Sequence, residues 1–311
     1  MMHINTLATW VPSARLNAEE IITQTGYSPR EANTFCQLFG FRRIAALEAT
    51  VSLYGVFYQL LSRLMQQSSG PDLPIDALIY VHGMPESSCE HPAWLTQLKQ
   101  RHPFVSAEAH CLELDQQHCA TLFWALAHAH RLLEEQQAKR VAIIAGDTLS
   151  PLGASRRYVP GYTLIGDAFA ALLLEHEGAG LRLGKPFLGQ RLEFYDGLNS
   201  GREAKTAFYR AHDGMVAEAL AGAQAGDPDS LSLLPHNINR ISWRRYARRR
   251  QLPCAAISLG LLPDIGHCCT VDPLLLLPAA IPAIRAGQPH VMLSVGLGAA
   301  YGSCSVSYHA E

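Results

Sequence analysis

The chain has 311 residues, of which 48% are apolar and 17% charged, and its formal net charge is −2. This composition supports a large core and argues against extensive disorder. The small net charge argues against a general attraction to nucleic acid or to membrane surfaces. The length is sufficient for two domains or two fused half-domains.

The sequence also indicates the cellular compartment of the protein. The apolar runs are short, and the run 274–277 is followed by Pro278 and Pro282, so no transmembrane helix is predicted. The N-terminus lacks the basic-then-apolar order of a signal peptide. The eight cysteines are irregularly spaced without a CxxC pair, which favours reduced thiols over a disulfide framework. We therefore predict a cytoplasmic protein.

Strands and helices alternate through the first half of the chain. Hydrophobic periodicity predicts a strand at 3–8, helices at 17–25, 29–40 and 51–67, a strand at 77–81, a loop at 82–91 and a helix at 92–100. Asn17 and Ser28 are candidate N-caps. A short strand ending near 114 leads through a turn at 115–118 into a helix that runs roughly to 137. The strand 140–146, a polar loop at 147–160 and a strand at 172–176 complete this half.

The second half repeats the alternation after a glycine-rich boundary at 177–180. The predicted elements are a strand or hairpin at 181–195, a helix at 205–221, strands at 230–234 and 255–259 with a helix at 238–250 between them, and a final hairpin of 290–295 and 304–308. Asp272 and Pro273 resemble an N-cap and a first-turn proline that open one more helix. The pattern predicts an α/β architecture with largely buried sheets.

Cys119 lies between the predicted strand that ends near 114 and the N-terminus of the following helix. Unpaired backbone N–H groups and the helix dipole favour a thiolate there, so Cys119 is a candidate nucleophile. The alternative is a small buried residue under a turn, as many free cysteines are. His118 is its sequence neighbour, but adjacent side chains diverge at a helix start, so we interpret His118 as structural.

Three downstream positions are candidate partners of Cys119. His236 follows a buried strand, His267 precedes the helix at Asp272, and Gly298 lies in the turn of the last hairpin. Junctions of this kind are where sites on α/β sheets are usually built. Either histidine taken alone could instead be a packed, hydrogen-bonded residue. The nearby cysteines also raise the possibility of zinc, but the spacing of structural zinc ligands is missing, so we predict no metal site.

These residues resemble the signatures of ketosynthase III-type condensing enzymes of the thiolase superfamily, in order and over essentially the whole chain. Asp115 to Leu122 corresponds to the segment of the reactive cysteine, and Pro235 to Asn239 to the His-Gln-Ala-Asn signature. The other matching segments are Arg42 to Ala45, Gly166 to Ala171, Gly266 to Cys269, and Gly296 to Gly298 continuing to Ser303. His267 replaces the usual asparagine, which gives a Cys-His-His set like that of elongating condensing enzymes and leaves the second substrate open.

The resemblance implies a thiolase-like fold. Two pseudo-symmetric βαβαβαββ halves would form five layers in the order α-β-α-β-α. Residues 1–177 would be the N-terminal half with Cys119, and residues 178–311 the C-terminal half with His236, His267 and Gly298. Members of the family are dimers paired through their N-terminal halves, so a homodimer is expected.

The resemblance also implies a two-stage reaction. Cys119 would accept an acyl group from acyl-CoA or an acyl-carrier protein, with the backbone N–H groups of Cys119 and Gly298 as the oxyanion hole, each donor contributing ~3 kcal/mol. His236 and His267 would then assist a Claisen-type condensation with a malonyl-type thioester, in a polyketide- or fatty-acid-like pathway. One alternative is transfer to an amine or alcohol without decarboxylation, with a histidine as general base. A third reading is the supporting subunit of a heterodimer. No cofactor beyond the CoA or phosphopantetheine of the substrates is implied.

Basic side chains on one predicted helix suggest where the carrier docks. Arg244, Arg245, Arg248 and Arg249 lie there, and Arg42 and Arg43 are further candidates for contacts with CoA phosphates. The simpler interpretation of these arginines is a solvated helix face, and a third interpretation is a nucleic-acid-binding surface. Since the rest of the chain is not basic, an acidic carrier protein or CoA is the better match.

Overall fold

The protein, seen as a computed structural model, is described for residues 2–87, 93–197, 201–226 and 231–310. The predicted loop at 82–91 therefore lies partly outside the described residues. The strands are β1 (Met2–Trp10), β2 (Arg15–Asn17), β3 (Arg43–Ala45), β4 (Ile75–Val81), β5 (Val105–Leu114), β6 (Arg140–Asp147), β7 (Tyr158–Val159), β8 (Thr163–Leu164), β9 (Ala168–Glu175), β10 (Gly180–Leu183), β11 (Phe187–Gln190), β12 (Ser232–Pro235), β13 (His290–Val295) and β14 (Ala300–His309). The helices are α1 (Ala18–Thr23), α2 (Pro29–Phe39), α3 (Leu53–Gln67), α4 (Trp94–Arg101), α5 (Thr121–Glu134), α6 (Arg202–Gly222), α7 (Arg240–Arg250), α8 (Leu262–Ile265) and α9 (Asp272–Arg285).

The main sheet consists of two similar runs of strands joined in the middle. The first run has the order β5-β4-β6-β9-β1, and the second has the order β12-β13-β14-β10, with β11 beside β14. β4 pairs in parallel with β5 and β6, and β12 pairs in parallel with β13. The remaining two strand pairs of each run are antiparallel. Ile257 bridges to Leu233 in parallel, at the position that β5 holds beside β4. The antiparallel pairing of β1 with β10 joins the two runs.

Helices cover both faces of each run, and α5 and α9 lie between them. One hydrophobic cluster contains the apolar faces of α5 and α9 together with side chains of both runs of strands. A second cluster packs α3 and α4 on the outer face of the first run, and a third packs α6 and α7 on the outer face of the second. The layers thus follow the order α-β-α-β-α, which confirms the predicted fold class. The predicted division at residue 177 falls between β9 and β10.

Side-chain caps explain where α1 and α2 begin. The Asn17 side chain accepts from Glu19 N and Glu20 N, and Ser28 forms a capping box with Glu31 at the start of α2. Both predicted N-caps are therefore confirmed. Among the described residues no helix combines the length and the apolar character needed to cross a bilayer.

Several local predictions are wrong. The segment 181–195 contains two strands, β10 and β11, which each pair with β14 and do not form a hairpin with each other. β14 begins at Ala300, four residues earlier than predicted. The segment 255–259 forms a 3-10 turn and a single bridge at Ile257, because only one residue of it reaches β12. β9 begins at Ala168, four residues earlier than predicted, since Ala168 and Phe169 already pair with β6. Asp272 is the first residue of α9 and does not cap it, because its carboxylate is taken up by other backbone and side-chain donors.

Candidate functional site

The turn that carries Cys119 is fixed by close backbone contacts. A 3-10 turn, His118–Ala120, connects β5 to α5, and His118 has a left-handed φ of +48°. Gly83 lies against it so closely that a Cβ there would be 2.8 Å from the His118 carbonyl carbon. The Thr121 hydroxyl donates to His118 O at 2.7 Å. The predicted strand-to-helix handover at Cys119 is thus present, and the thiol is buried.

The segment that carries His267 is held by equally tight packing. His267 N donates to Leu164 O, and Gly166 N donates to His267 O. Gly266 has a φ of +79°, and a Cβ at Gly166 would lie 1.9 Å from Ile265 O. Only glycine allows these two backbones to approach so closely. The result is that a histidine from the second half of the chain reaches the nucleophile of the first half.

Cys119 and His267 are in direct contact. His267 Nε2 lies 3.3 Å from Cys119 Sγ, and His267 Nδ1 donates to Asp272 Oδ2 at 2.6 Å. The Asp272 carboxylate also accepts from Asn237 N and Cys268 N, at 2.7 and 3.0 Å. Because these donors hold the carboxylate in place, it fixes the orientation and tautomer of the His267 ring. Asp272 is the functional residue that sequence reasoning missed.

Electrostatics favour a thiolate–imidazolium pair. A hydrogen bond from the Cys269 thiol and the charge of His267 outweigh burial and lower the pKa of Cys119 to about 6. Burial lowers the pKa of His267, but the Cys119 thiolate and the Asp272 carboxylate together raise it to about 10. Between these values the sulfur is charged and nucleophilic, and the ring is a charged donor.

His236 lies beside His267 but differs from it in protonation state. Their ring centroids are 5.9 Å apart, and the His236 ring also lies 5.4 Å from the Trp243 ring. Burial, followed by the nearby His212 and His267, holds the pKa of His236 well below its usual range, so the ring is neutral. Neither ring nitrogen has a hydrogen-bond partner among the described residues. A neutral imidazole of this kind can donate one hydrogen bond to a substrate.

The turn with Gly298 lies next to the nucleophile turn. A Cβ at Gly296 would lie 2.3 Å from Gln117 O, and Gly298 has a φ of +89°. The last hairpin therefore approaches the backbone directly before Cys119. This places Gly298 near the predicted oxyanion hole, and its role as a donor stays a prediction.

A cavity of about 490 Å³ opens beside this site. Its wall is aromatic and apolar on one side, with Tyr162, Phe208 and Leu297. Its exposed side carries charges of both signs, from Arg156, Lys205, Glu193 and Asp196. Val159 lines the cavity and also packs against the small cluster that contains Cys119 and Cys269. The sequence did not single out Arg156 or Lys205, because neither lies in a motif.

The arginines predicted to dock a carrier lie on two other surfaces. Arg42 and Arg43 both donate to Asp264, at 2.9 and 3.0 Å, and are largely exposed. On α7, Arg245 and Arg249 pair with Asp213, whereas Arg244 and Arg248 are exposed. Arg245 also donates to Tyr209 O, next to the cavity. Their docking role stays a prediction.

Comparisons with known proteins agree with the resemblance found in the sequence. The family described as 3-oxoacyl-[acyl-carrier-protein] synthase III matches residues 115–190, the part of the chain that contains Cys119. No curated protein sequence matches the chain.

Solved structures share the fold over the whole chain. A 3-oxoacyl-(acyl-carrier protein) synthase from Burkholderia xenovorans LB400 is 19% identical, with a TM-score of 0.80 over 99% of this chain and 94% of that one. ChlB3, titled an acyltransferase, is 19% identical, with a TM-score of 0.79 over 99% and 98%. OleA of Xanthomonas campestris, bound to cerulenin, is 14% identical, with a TM-score of 0.81 over 99% and 97%. The resemblance to ketosynthase III-type enzymes, which was carried by the motifs, is confirmed.

Proposed function

We propose that this chain is an acyltransferase of the condensing type, in which Cys119 accepts an acyl group from a CoA or carrier-protein thioester. The observation that carries the proposal is the 3.3 Å contact between Cys119 Sγ and a His267 ring that Asp272 holds in place. The lowered pKa of Cys119 supplies the thiolate at neutral pH. The thiolate attacks the thioester carbonyl, the tetrahedral intermediate collapses, and the CoA or carrier thiol leaves after taking up a proton.

The cavity beside Cys119 suits the arm that delivers the acyl group. Its aromatic wall matches an extended pantetheine chain. Arg156 and Lys205, which share the exposed side with Glu193 and Asp196, are the proposed contacts for phosphate groups. We propose that the thioester enters here and that Val159 borders the inner end. The exposed Arg244 and Arg248 on α7 remain proposed contacts for an acidic carrier protein.

The second stage that we favour is a decarboxylative condensation. After acylation the sulfur no longer carries charge, and the N–H groups of His267 and His236 are available to a malonyl thioester carbonyl. Loss of CO2 leaves the electron pair on the methylene carbon as an enolate. That carbon attacks the acyl carbonyl on Cys119, a C–C bond forms, and the thiolate is released. The neutral state of His236 supports its role as a donor.

A specific observation also supports transfer to an alcohol or amine. Among the described residues, Cys119, His267 and Asp272 form a linear relay of the kind in which a histidine moves a proton for an incoming nucleophile. In this variant the His267 imidazolium gives its proton to the leaving thiol during acylation, the neutral ring then takes the proton of the acceptor, and no CO2 is formed. A supporting-subunit role ranks below both, because the nucleophile and its partner histidine are present.

Intact-mass spectrometry tests the first stage. The protein is incubated with a panel of acyl-CoAs, and an acyl adduct that maps to Cys119 is expected. Cys119→Ala should lose the adduct, whereas Cys254→Ala, which removes an exposed thiol, should keep it. An adduct that persists in Cys119→Ala would contradict the assignment.

The second stage is tested on the preloaded enzyme. Addition of malonyl-CoA should release CO2 and give a product longer by two carbons, and Arg156→Ala should raise the KM for the CoA substrate. Ester or amide formed from an added alcohol or amine, without CO2, would establish the alternative. Failure of the isolated chain to form any adduct would favour the supporting subunit.

A further inference from the structure

One buried thiol beside the nucleophile has no part in acyl transfer as a bond-forming group. Cys269 is fully buried and has a left-handed φ of +53°, a conformation that costs a residue other than glycine about 1–2 kcal/mol. Hydrogen bonds of the next residue offset this cost, because Thr270 N and the Thr270 hydroxyl donate to Asp147 Oδ2 at 3.0 and 2.6 Å. The strained backbone brings the Cys269 sulfur into the site.

Three soft donor atoms converge there. Cys119 Sγ, Cys269 Sγ and His267 Nε2 all lie within 4.8 Å of one another, and the contact between Cys119 and His267 is 3.3 Å. Zinc bonds of about 2.3 Å to sulfur and about 2.0 Å to nitrogen in a tetrahedron require donor atoms about 3.5 to 3.8 Å apart. The Cys119–His267 separation of 3.3 Å is already close to this geometry, and the two separations to Cys269 Sγ, at most 4.8 Å, reach it after shifts of no more than about 1 Å.

The outer contacts of the cluster are those of a metal site. A zinc-bound histidine almost always donates its second ring N–H to a carboxylate, which orients the ring. His267 does so to Asp272, with Nδ1 to Oδ2 at 2.6 Å. The ring is therefore held with Nε2 facing both sulfurs, before any metal arrives.

Metal binding would exchange protons for zinc. Zinc binds thiolates and neutral imidazole, so it would displace one proton from His267 and one from Cys269, and one ion with two charges would replace two protons. The net charge of the buried cluster then stays the same, and the metal–ligand bonds offset the loss of water from the ion.

We propose that Cys119, His267 and Cys269 form a site for Zn²⁺, and that zinc bound there blocks acylation of Cys119. The sulfur lone pair that attacks a thioester is then held by the metal, so zinc and the acyl donor compete. Three protein ligands leave a fourth tetrahedral position open, which a thiol or water can fill. Because two protons leave on binding, affinity rises with pH. The sequence predicts no metal here because Cys119 is almost 150 residues away from the other two ligands.

Zinc titration of the full chain tests this under a phosphine reductant, which excludes disulfides. Metal-free protein is mixed with Zn²⁺, its bound zinc is counted after gel filtration, and alkylation of Cys119 by iodoacetamide is followed by peptide mass spectrometry. We expect one zinc per chain at this site and at least about tenfold slower alkylation. EDTA should restore the rate. Co²⁺ should give the sulfur-to-metal absorption of a thiolate site.

Two neighbouring cysteines provide a matched pair of variants. Cys269→Ser keeps a hydroxyl donor beside Cys119 but removes a ligand, so zinc affinity should fall at least about tenfold, the lower bound for losing even an outer partner of a ligand. Cys268→Ala removes a buried thiol whose Sγ bonds Ile265 O and should keep the zinc. Each variant is compared with itself, with and without zinc.

Three outcomes would overturn the proposal. They are zinc that leaves Cys119 alkylation unchanged, zinc binding that survives Cys269→Ser, and equal loss in both variants. Binding confined to surface histidines would show itself as the first of these. None of these readouts depends on acyl transfer.

Discussion

At the residue scale, a buried carboxylate decides the chemistry of the site. Asp272 has no exposure and accepts from two backbone N–H groups as well as from His267. This carboxylate raises the pKa of His267, and so favours a proton on the ring that faces Cys119. The nucleophile is thus controlled by a residue that never touches it.

Asp272→Asn tests this control because it preserves shape and removes charge. Without the carboxylate the pKa of His267 falls, the thiolate loses its charged partner, and the pKa of Cys119 rises from about 6. Alkylation of Cys119, measured against pH, should therefore show its inflection higher by roughly one pH unit. Asp264→Asn, which changes a surface carboxylate paired with Arg42 and Arg43, is the control. An unmoved inflection in Asp272→Asn would remove Asp272 from the mechanism.

The sequence could supply the nucleophile and the histidines but not the residues that tune them. Cys119, His236 and His267 lie in ordered motifs, and the structure brings Cys119 against His267 and His236 beside it. Asp272 precedes a proline in an apolar segment, a pattern that equally describes an N-cap. Cys269 depends on a left-handed φ that no local pattern encodes. Packing between segments far apart in the sequence places both Asp272 and Cys269 beside His267 and Cys119.

At the element scale, the site depends on glycines that let backbones touch. Gly83, in the loop after β4, supports the His118–Ala120 turn, and Asp147 Oδ1 at the end of β6 accepts from Gly83 N and Met84 N. The strand ends of the first half thus act together on one turn. The sequence predicted these strands, because buried parallel strands are continuous apolar runs. It mistook 255–259 for a strand because a short apolar run does not reveal its partner.

Gly83→Ala should damage the site more than the fold. An added Cβ would lie 2.8 Å from the His118 carbonyl carbon, so the turn must shift, at a cost of about 1–3 kcal/mol. We expect a lower Tm and slower alkylation and acylation of Cys119. Gly55→Ala, inside α3 with its nearest contact at 3.9 Å, should be neutral or stabilising by about 0.5–1 kcal/mol. If both variants alkylate at the wild-type rate, the turn is not positioned by Gly83.

At the scale of the whole molecule, the repeated strand order explains why the site lies where it does. Each half contributes a similar arrangement of parallel and antiparallel strands, and the pairing of β1 with β10 sets the halves side by side. Cys119 precedes α5 in the first half, and Asp272 begins α9 in the second. Because α5 and α9 share the central layer, their N-terminal ends bring sulfur and imidazole together.

β5 is the last strand at one end of the main sheet, and we expect the predicted dimer to form along this edge. β5 has ten residues and pairs only with β4 among the described residues. A long edge strand with one open side is a site for pairing with another chain. If two copies pair there, as the resemblance implies for the N-terminal half, light scattering should give about twice the chain mass of 34.0 kDa.

Hydrogen exchange locates the contact. On dilution to a monomer, outward-facing amides of β5 should lose protection, because their partners across the interface are gone. β12, near the opposite end of the sheet, is the internal control and should exchange at a rate independent of concentration. A dimer in which β5 exchanges equally at all concentrations would place the interface elsewhere. A monomer at all concentrations would show that the open side of β5 faces solvent, and that the site with Cys119, His267 and Asp272 is complete within one chain.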